Sequence, residues 1–465
     1  MGKAVRFLAL RPIVLLCVLS LAPACDSATT TGDTALHFNK GYGYVIFRHD
    51  GVGAAGASTA TKDDRTFVGD NFKVDSQGRY VVAGMSKNSD GGTELVIWRY
   101  LPDGTLDTSF ADSSGHSGYV VFGNLQSSIG GTASASKFDF PYSLAIDSSG
   151  RYVVAGVSVN PGAKDESVVW RYLTTGALDP SFGSGNGYVG YNIGAAGIAG
   201  GAGVNKKDNM AQIQFDSAGR ILVAGTSANT SSRQEPTLLA YKTDGTLDTT
   251  FNSAGTPGYS IMLNNLTGVT GLVTGQKLDV TLRYRIDRSG NHVVAGFCYE
   301  GFNISPTPCI FRFTATGALD TSFNSTVTPG YVLFNAGGPG VAGALLAART
   351  DYAMNLVIDS QNRYILSGYS KNDVGGFEAV VWRFLSTGAL DTSFGSGTGY
   401  SILNAGGAGI SSGTNANKVE QVSSAAVDSS GRIVCAGYAY STGAPIDLML
   451  WRLNSNGSKD TSFGG

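Results

Sequence analysis

The sequence predicts an all-β fold assembled from copies of one four-stranded antiparallel unit. Three observations carry that prediction. The first is repetition: VDSQGRYVVAG from Val74, IDSSGRYVVAG from Ile146, FDSAGRILVAG from Phe215, IDRSGNHVVAG from Ile286, IDSQNRYILSG from Ile358 and VDSSGRIVCAG from Val427 recur at intervals of about 70 residues. The second is the texture of each copy, in which short apolar or alternating runs are separated by Asp/Ser/Gly turns. The third is an offset of the ends. The first element, GYGYVIF at 41–47, is a fourth strand with no preceding three, and the last copy stops at DTSFGG, 460–465, three strands with no fourth. The two partial units add to one, so the N-terminal strand is expected to complete the last unit and leave no open sheet edge.

The second copy shows how each element arises. Apolar alternation through Tyr142, Leu144 and Ile146 predicts a strand, and Asp147-Ser148-Ser149-Gly150 turns the chain back. Tyr152 to Gly156 then runs antiparallel, a polar loop at 160–166 leads to a third strand over 167–173, and Thr175-Gly176 turns again. A fourth strand follows at 187–191. Four short strands with both faces apolar or small suit a blade packed between neighbours better than a sheet with one wet face. The predicted architecture is a single six-bladed β-propeller over 36–465, because one such unit cannot bury its faces alone.

The pattern of DSxGR, VVAG, WRY and GxLDxSFGxxGY resembles the delta-60 repeat, a β-propeller repeat of exported bacterial proteins without a defined general function. The resemblance covers 36–465 and implies the fold, not an activity. A Gly/Ala-rich insertion between the fourth strand of one blade and the first of the next, as in NIGAAGIAGGAGVNKKDN at 192–209, departs from the simplest form of the repeat.

Residues 1–24 have the layout of a secretory signal peptide: Lys3 and Arg6, then an apolar run over 13–21, then small residues. That run is too short to span a bilayer. Two cleavages compete at its end. Ala22-Pro23-Ala24 fits ordinary signal peptidase, while Leu21-Ala22-Pro23-Ala24-Cys25 resembles a lipobox that would make Cys25 an acylated N-terminus. Cys25 at the junction, followed by a polar tether over 25–35, favours the lipoprotein, attached to the membrane at the cell envelope; simple secretion is the alternative. Of the other cysteines, Cys17 leaves with the leader and Cys435 replaces a strand Val, so it is expected to be buried. Cys298 and Cys309 lie on two strands of one hairpin and are expected to form a disulfide, in keeping with export.

The chain's net charge of −2 becomes more negative once Lys3, Arg6 and Arg11 leave with the leader, which argues against a nucleic-acid partner. Arg99, Arg171, Arg312, Arg383 and Arg452 recur in the third strand, each followed by an Asp eight positions later, from Asp107 to Asp460. Repetition in nearly every blade marks them as structural. Trp98, Trp170, Trp382 and Trp451, with Phe311 and Leu239 in the equivalent places, read as core. Before the first strands lie Lys137/Asp139, Lys206/Asp208, Lys277/Asp279, Arg349/Asp351 and Lys418/Glu420, with Lys62/Asp64 as a counterpart in the first copy. If the first strand is innermost, these pairs ring one mouth of the central channel, either as a belt of blade-to-blade ion pairs or as a polar mouth for a small ligand or ion.

Function is expected where the repeat breaks. The fourth copy carries Arg283, Tyr284 and Arg285 in its first strand, Asn291 in place of Arg, and the loop GFNISPTP at 301–308. These residues predict a basic, aromatic contact surface for a partner. His37, His49, His116 and His292 lack metal-ligand spacing, and no nucleophile elbow, phosphate loop or calcium loop is present, so no catalytic residue, cofactor or metal is assigned. The expected function is a monomeric binding or scaffolding module whose partner is an envelope protein or a glycan; the alternative is a carbohydrate-active hydrolase or lyase.

Overall fold

In the computed structural model of the chain, the described residues are 47, 53–58, 61–66, 69–122, 129, 138–159, 165–191, 197–198, 200, 207–230, 234–261, 279–300, 305–334, 341–344, 350–403, 416–441 and 446–464. Every regular element among them is a strand. The first sheet holds β1 (Asp64–Arg65), β2 (Phe72–Val74), β3 (Tyr80–Lys87), β4 (Thr93–Tyr100) and β5 (Tyr119–Val121). The second holds β6 (Asp139–Ile146), β7 (Tyr152–Val159), β8 (Asp165–Tyr172) and β9 (Tyr188–Gly190), and the third β10 (Asp208–Phe215), β11 (Ile221–Ala228), β12 (Gln234–Tyr241) and β13 (Tyr259–Ile261). The fourth is β14 (Asp279–Ile286), β15 (His292–Glu300), β16 (Ser305–Phe313) and β17 (Tyr331–Leu333). Then come β18 (Asp351–Ile358), β19 (Tyr364–Lys371), β20 (Phe377–Phe384) and β21 (Tyr400–Ile402), and finally β22 (Lys418–Val427), β23 (Ile433–Ser441) and β24 (Asp447–Leu453).

Within each sheet consecutive strands pair antiparallel, as the repeat predicts. Three antiparallel strands, β22 to β24, end the chain and are tied to β20 by one parallel bridge, Phe377↔Val419. Similar bridges join Thr93 to Phe138 and Asp165 to Lys207. One sheet therefore passes to the next through a point contact rather than a ladder, and the junction depends on side chains.

Local chemistry explains the repeated words. In DSSGR, Asp147 Oδ1 accepts hydrogen bonds from the Ser149 and Arg151 amides, both at 2.9 Å, and Gly150 adopts φ 79°. The Gly of VVAG has a different reason. The first strand bulges between Pro141 and Ser143, and a Cβ at Gly156 would overlap the Phe140 carbonyl oxygen. The bulge recurs in β10, β14, β18 and β22. In the first sheet extra residues stand in its place and divide the strand into β1 and β2, both paired with β3.

The core lies between sheets. Leu95 and Ile97 of β4 pack with Leu144 of β6 and Val154 of β7, all fully buried; each such aliphatic side chain contributes roughly 1.5–3 kcal/mol. Trp98, Trp170, Trp382, Leu239 and Phe311 are buried, as expected of core positions, and Cys435 is buried with its thiol pushed up to about 12 by desolvation. The Phe that ends a fourth strand stacks edge-on against the next sheet's Trp: Phe122 on Trp170 at 5.8 Å and Phe334 on Trp382 at 6.2 Å. Phe47 meets Trp98 at 5.7 Å in the same way, so it occupies the place of a fourth-strand Phe ahead of the first sheet. The rest of the 41–47 strand lies outside the described residues.

Two regions depart from the interior pattern. Leu448 and Leu450 of β24 are 68% and 54% exposed, and Phe72 and Val74 of the first sheet 52% and 53%. Cys298 and Cys309, the expected disulfide pair, are both buried. In the β15–β16 register Cys298 lies opposite Thr307 and Cys309 opposite Gly296, so the two cysteines are diagonal neighbours on adjacent strands.

Candidate functional site

The polar residues common to the repeats are consumed by internal clamps. Arg99 Nε donates to Asp107 Oδ2 at 2.8 Å, and the same bond forms at Arg171–Asp179, Arg312–Asp320 and Arg383–Asp391 at 2.7 Å and at Arg452–Asp460 at 2.6 Å. Ser109 donates to the other carboxylate oxygen at 2.6 Å, and the guanidinium lies over Phe110 at 4.5 Å. It also crosses to the next sheet, donating to the Thr174 carbonyl and, at 3.1 Å, to the Tyr152 hydroxyl. Burial opposes ionisation of Asp107, but the Ser109 hydroxyl and the Arg99 charge outweigh it and hold the carboxyl below its ordinary range. These groups are structural, as their repetition predicts. The arginine of DSxGR belongs to the same clamp and escaped the sequence reading: Arg79 Nε donates to Asp75 at 2.7 Å while its Nη1 lies 3.5 Å from Asp107. Its recurrence four residues after the turn Asp was the available signal.

The acid–base pairs before the first strands form a second internal belt. Strand register aligns Asp64 with Ser86 as it aligns Asp139 with Ser158, Asp208 with Ser227 and Asp351 with Ser370, which identifies Asp64 as the first sheet's member. Asp139, Asp208, Asp351, Lys418 and Glu420 are fully buried, while Lys62 and Asp64 are half-buried. Described parts of the Gly/Ala-rich insertions lie over two of the acids. The Ala54 amide donates to Asp64 at 3.0 Å and the Ile198 amide to Asp208 at 3.3 Å; a Cβ on Gly197 would come within 2.6 Å of the Asp208 carboxylate. Lys418 Nζ lies 3.3 Å from Glu378 of the preceding sheet, an ion pair across a junction. Lys137, Lys206, Lys277, Arg349, the side chain of Asp279 and residues 301–304 of the GFNISPTP loop lie outside the described residues.

The break in the fourth sheet resolves into two parts. Tyr284 is fully buried, which corrects its expected place on a surface; its hydroxyl and His292 Nδ1 lie 2.8 Å apart in a hydrogen bond. The position is buried in other sheets too, where Leu144, Ile213 and Leu356 occupy it, and beside Tyr284 on the third sheet Ala240 stands in place of the clamp arginine. His292, in place of the usual Tyr, packs on Phe251 at 5.5 Å, and Arg220 takes over the missing roles by stacking on Phe251 at 5.2 Å and donating to the Ala315 carbonyl at 2.6 Å. Burial lowers His292 to about 4, so it is neutral near pH 7.

Arg283 and Arg285 lie where the first strands of successive sheets meet. These strands touch one another in turn: the Leu144 amide donates to the Asp70 carbonyl at 2.8 Å, the Ile213 amide to Ser143 Oγ at 3.2 Å, and the Ile286 amide to Gln214 Oε1 at 2.9 Å. Arg283 Nε donates to Asn355 Oδ1 at 3.2 Å, and Arg285 Nη1 to Gln212 Oε1 at 3.1 Å and to the Tyr284 carbonyl at 2.7 Å. Asp70 of the first sheet acts electrostatically on both arginines and is itself ion-paired with Lys73. Burial, then the like charge of Arg285, brings Arg283 down to about 10; burial also lowers Arg285. Elsewhere in the molecule a cleft of about 390 Å³ opens between the second and third sheets beside Tyr188, Tyr191 and Tyr241, but turn residues shared by the repeats line it.

Four segments, 76–110, 148–182, 219–251 and 429–463, match the family described as a domain of unknown function (DUF5122), beta-propeller. The chain is a repeat protein of the β-propeller class. No curated protein matches it. Among solved structures it is similar to a protein of unknown function from Dyadobacter fermentans, at 14% identity over 83% of this chain and 96% of that one with a TM-score of 0.37. It is also similar to an ulvan lyase of polysaccharide lyase family PL25, at 9% identity over 86% of each chain with a TM-score of 0.43. A third likeness is the β-propeller domain of the trilobed protease from Pyrococcus furiosus, at 10% identity over 84% and 81% with a TM-score of 0.37.

Proposed function

We propose that this chain is an exported, lipid-anchored binding module of the bacterial cell envelope, a closed ring of six blades that takes a small ligand in its axial channel at Arg283 and Arg285. The observation that carries the reading is the pair of guanidinium groups on β14. At the two corresponding positions of the other first strands stand Asn71 and Lys73, Ser143 and Ala145, Gln212 and Gln214, Asn355 and Val357, Ser424 and Ala426. Desolvating two adjacent like charges costs stability, and a group retained against that cost is a candidate for function. Closure is supported by Phe47, which packs on Trp98 and Tyr119 as Phe122 packs on Trp170 and Tyr188.

Ligand-observed NMR of the mature chain against a panel of neutral, cationic and anionic metabolites tests the site. Binders are expected to lose their signal transfer in Arg283→Gln/Arg285→Gln; binders indifferent to that change place the site elsewhere. Anchoring is tested separately. Cys25→Ser is expected to abolish incorporation of labelled palmitate and to move the protein from the membrane fraction to the soluble one. A mature N-terminus at Cys25 without acyl mass would instead mean simple secretion.

A further inference from the structure

Beyond the arginine site, we infer that the cleft of about 390 Å³ between the second and third sheets binds a neutral sugar ring. Its volume falls in the range of small-ligand sites, roughly 300–1,000 Å³. Most of its lining belongs to turns common to the repeats, but two departures meet here. Register aligns Gly190 of β9 with Val121, Ile261, Leu333 and Ile402, so among the described fourth strands this one alone presents bare backbone to such a cleft. The next residue, Tyr191, holds the place of Phe122 and Phe334, which are buried against Trp170 and Trp382. The third sheet has the smaller Leu239 where those tryptophans stand. Tyr191 meets Tyr259 edge-on at 5.6 Å and stays half-exposed together with Tyr188, Val189 and Gly190, whereas the corresponding run 119–122 of the first sheet is buried throughout.

The chemistry of the lining selects the ligand. None of the described residues that line the cleft is charged, so a carboxylate or ammonium would give up hydration there without meeting a counter-charge. Tyr188 and Tyr191 offer part-exposed rings, and buried Tyr241 an inner wall. Such rings pack against apolar C–H groups while tolerating polar neighbours. Exposed Asn186 and Thr246 stand beside them with donors committed inside their own turns: Asn186 Nδ2 donates to the Gly183 carbonyl at 3.0 Å, and Thr246 Oγ1 to Asp244 Oδ1 at 2.7 Å. Their oxygens keep acceptor capacity for a ligand that donates. A sugar combines an apolar C–H face with a rim of neutral O–H donors, which matches both halves of this lining.

Saturation-transfer NMR of the full mature chain tests the inference with methyl glycosides of neutral hexoses, the methyl glycoside of glucuronic acid, and p-cresol. A neutral glycoside is expected to bind saturably and more tightly than the charged glycoside or p-cresol. Tyr191→Leu and Leu239→Trp install the residues that the fifth sheet carries at these positions, Leu403 and Trp382, so both variants are expected to fold, which their unfolding temperatures check. The first removes a ring and is expected to weaken the glycoside by about tenfold; the second fills the space of the missing indole and is expected to abolish binding. Transfer to no neutral glycoside, unchanged affinity in both folded variants, or tighter binding of p-cresol or the charged glycoside overturns the inference. Arg283→Gln/Arg285→Gln should leave the glycoside signal unchanged. Its loss in that variant would move the sugar to the arginine site, overturning the cleft while supporting the other reading.

Discussion

Leu448→Asp/Leu450→Asp is expected to cost about 2–5 kcal/mol of stability, the range for damage to a packed core, although both leucines are more than half exposed in the open arrangement of the sheets. The reason is register. Aligning Trp451 with Trp98 places Leu448 and Leu450 at the positions of Leu95 and Ile97, which bury against Leu144 and Val154. The first sheet's Phe72 and Val82 occupy the positions of Leu144 and Val154. The proposed closure makes these two uncovered faces the two halves of one repeated contact. Charge repeats the match: Lys418 pairs with Glu378, and the same positions one junction later are Lys62 and Asp447. Lys62→Asp is expected to destabilise the ring, and Lys62→Asp/Asp447→Lys to recover most of the loss in a double-mutant cycle. Urea unfolding with light scattering checks both. Unchanged midpoints would mean that the ends do not meet, and recovery confined to mixed dimers would mean that the faces join two chains.

The second large effect concerns the clamp. Arg171→Ala is expected to cost about 1.5–3 kcal/mol, because it leaves buried Asp179 with only the longer 3.2 Å contact to Arg151 and removes the bond to the Thr243 carbonyl of the next sheet. Arg171→Lys should recover little, since a point charge cannot reproduce the stacking on Phe182 together with the fork. The clamp also sets an acid limit. Burial opposes ionisation of Asp107, Asp179, Asp320 and Asp391, yet serine hydroxyls and the paired arginines hold all four below the ordinary carboxylate range. A carboxyl depressed in the folded state contributes its full stability above its unfolded value, about 4, and loses it as pH falls through the folded one. Unfolding temperature is expected to be level from pH 7 down to about 5 and to drop steeply below about 4. The drop should be shallower in Arg171→Ala, which has already lost one clamp. An unchanged acid limb would separate acid stability from these pairs.

The repeat made the strands legible because their boundaries are local. Asp147 and Gly150 set the turn, apolar alternation sets the strand before it, and Trp170 marks the core whatever lies further along the chain. Residues whose environment is set by another sheet were harder to read. Tyr284 stood out as a departure, but its position is a buried one, shared with Leu144, Ile213 and Leu356. Asp208 read as the acid of a pair with Lys206; the insertion containing Gly197 folds back over it. The cysteines were placed on adjacent strands, and the register that makes Cys298 and Cys309 diagonal neighbours is set by the hairpin loop. Arg283 and Arg285 were visible as a break, and contacts between successive first strands set their surroundings.

A chain made of near-copies carries an assembly hazard, since any sheet can in principle dock on any other. The junction between the third and fourth sheets is keyed differently from its neighbours: Ala240 leaves a gap on one side, His292 and Tyr284 fill it from the other, and Arg220 reaches the Ala315 carbonyl in place of the absent arginine. A third sheet presented to an ordinary neighbour leaves that gap unfilled, and a fourth sheet presented to an ordinary arginine collides with it. The mismatch works as an address label near the middle of the chain, fixing which copy follows which and so holding the arginines of β14 opposite Asp70.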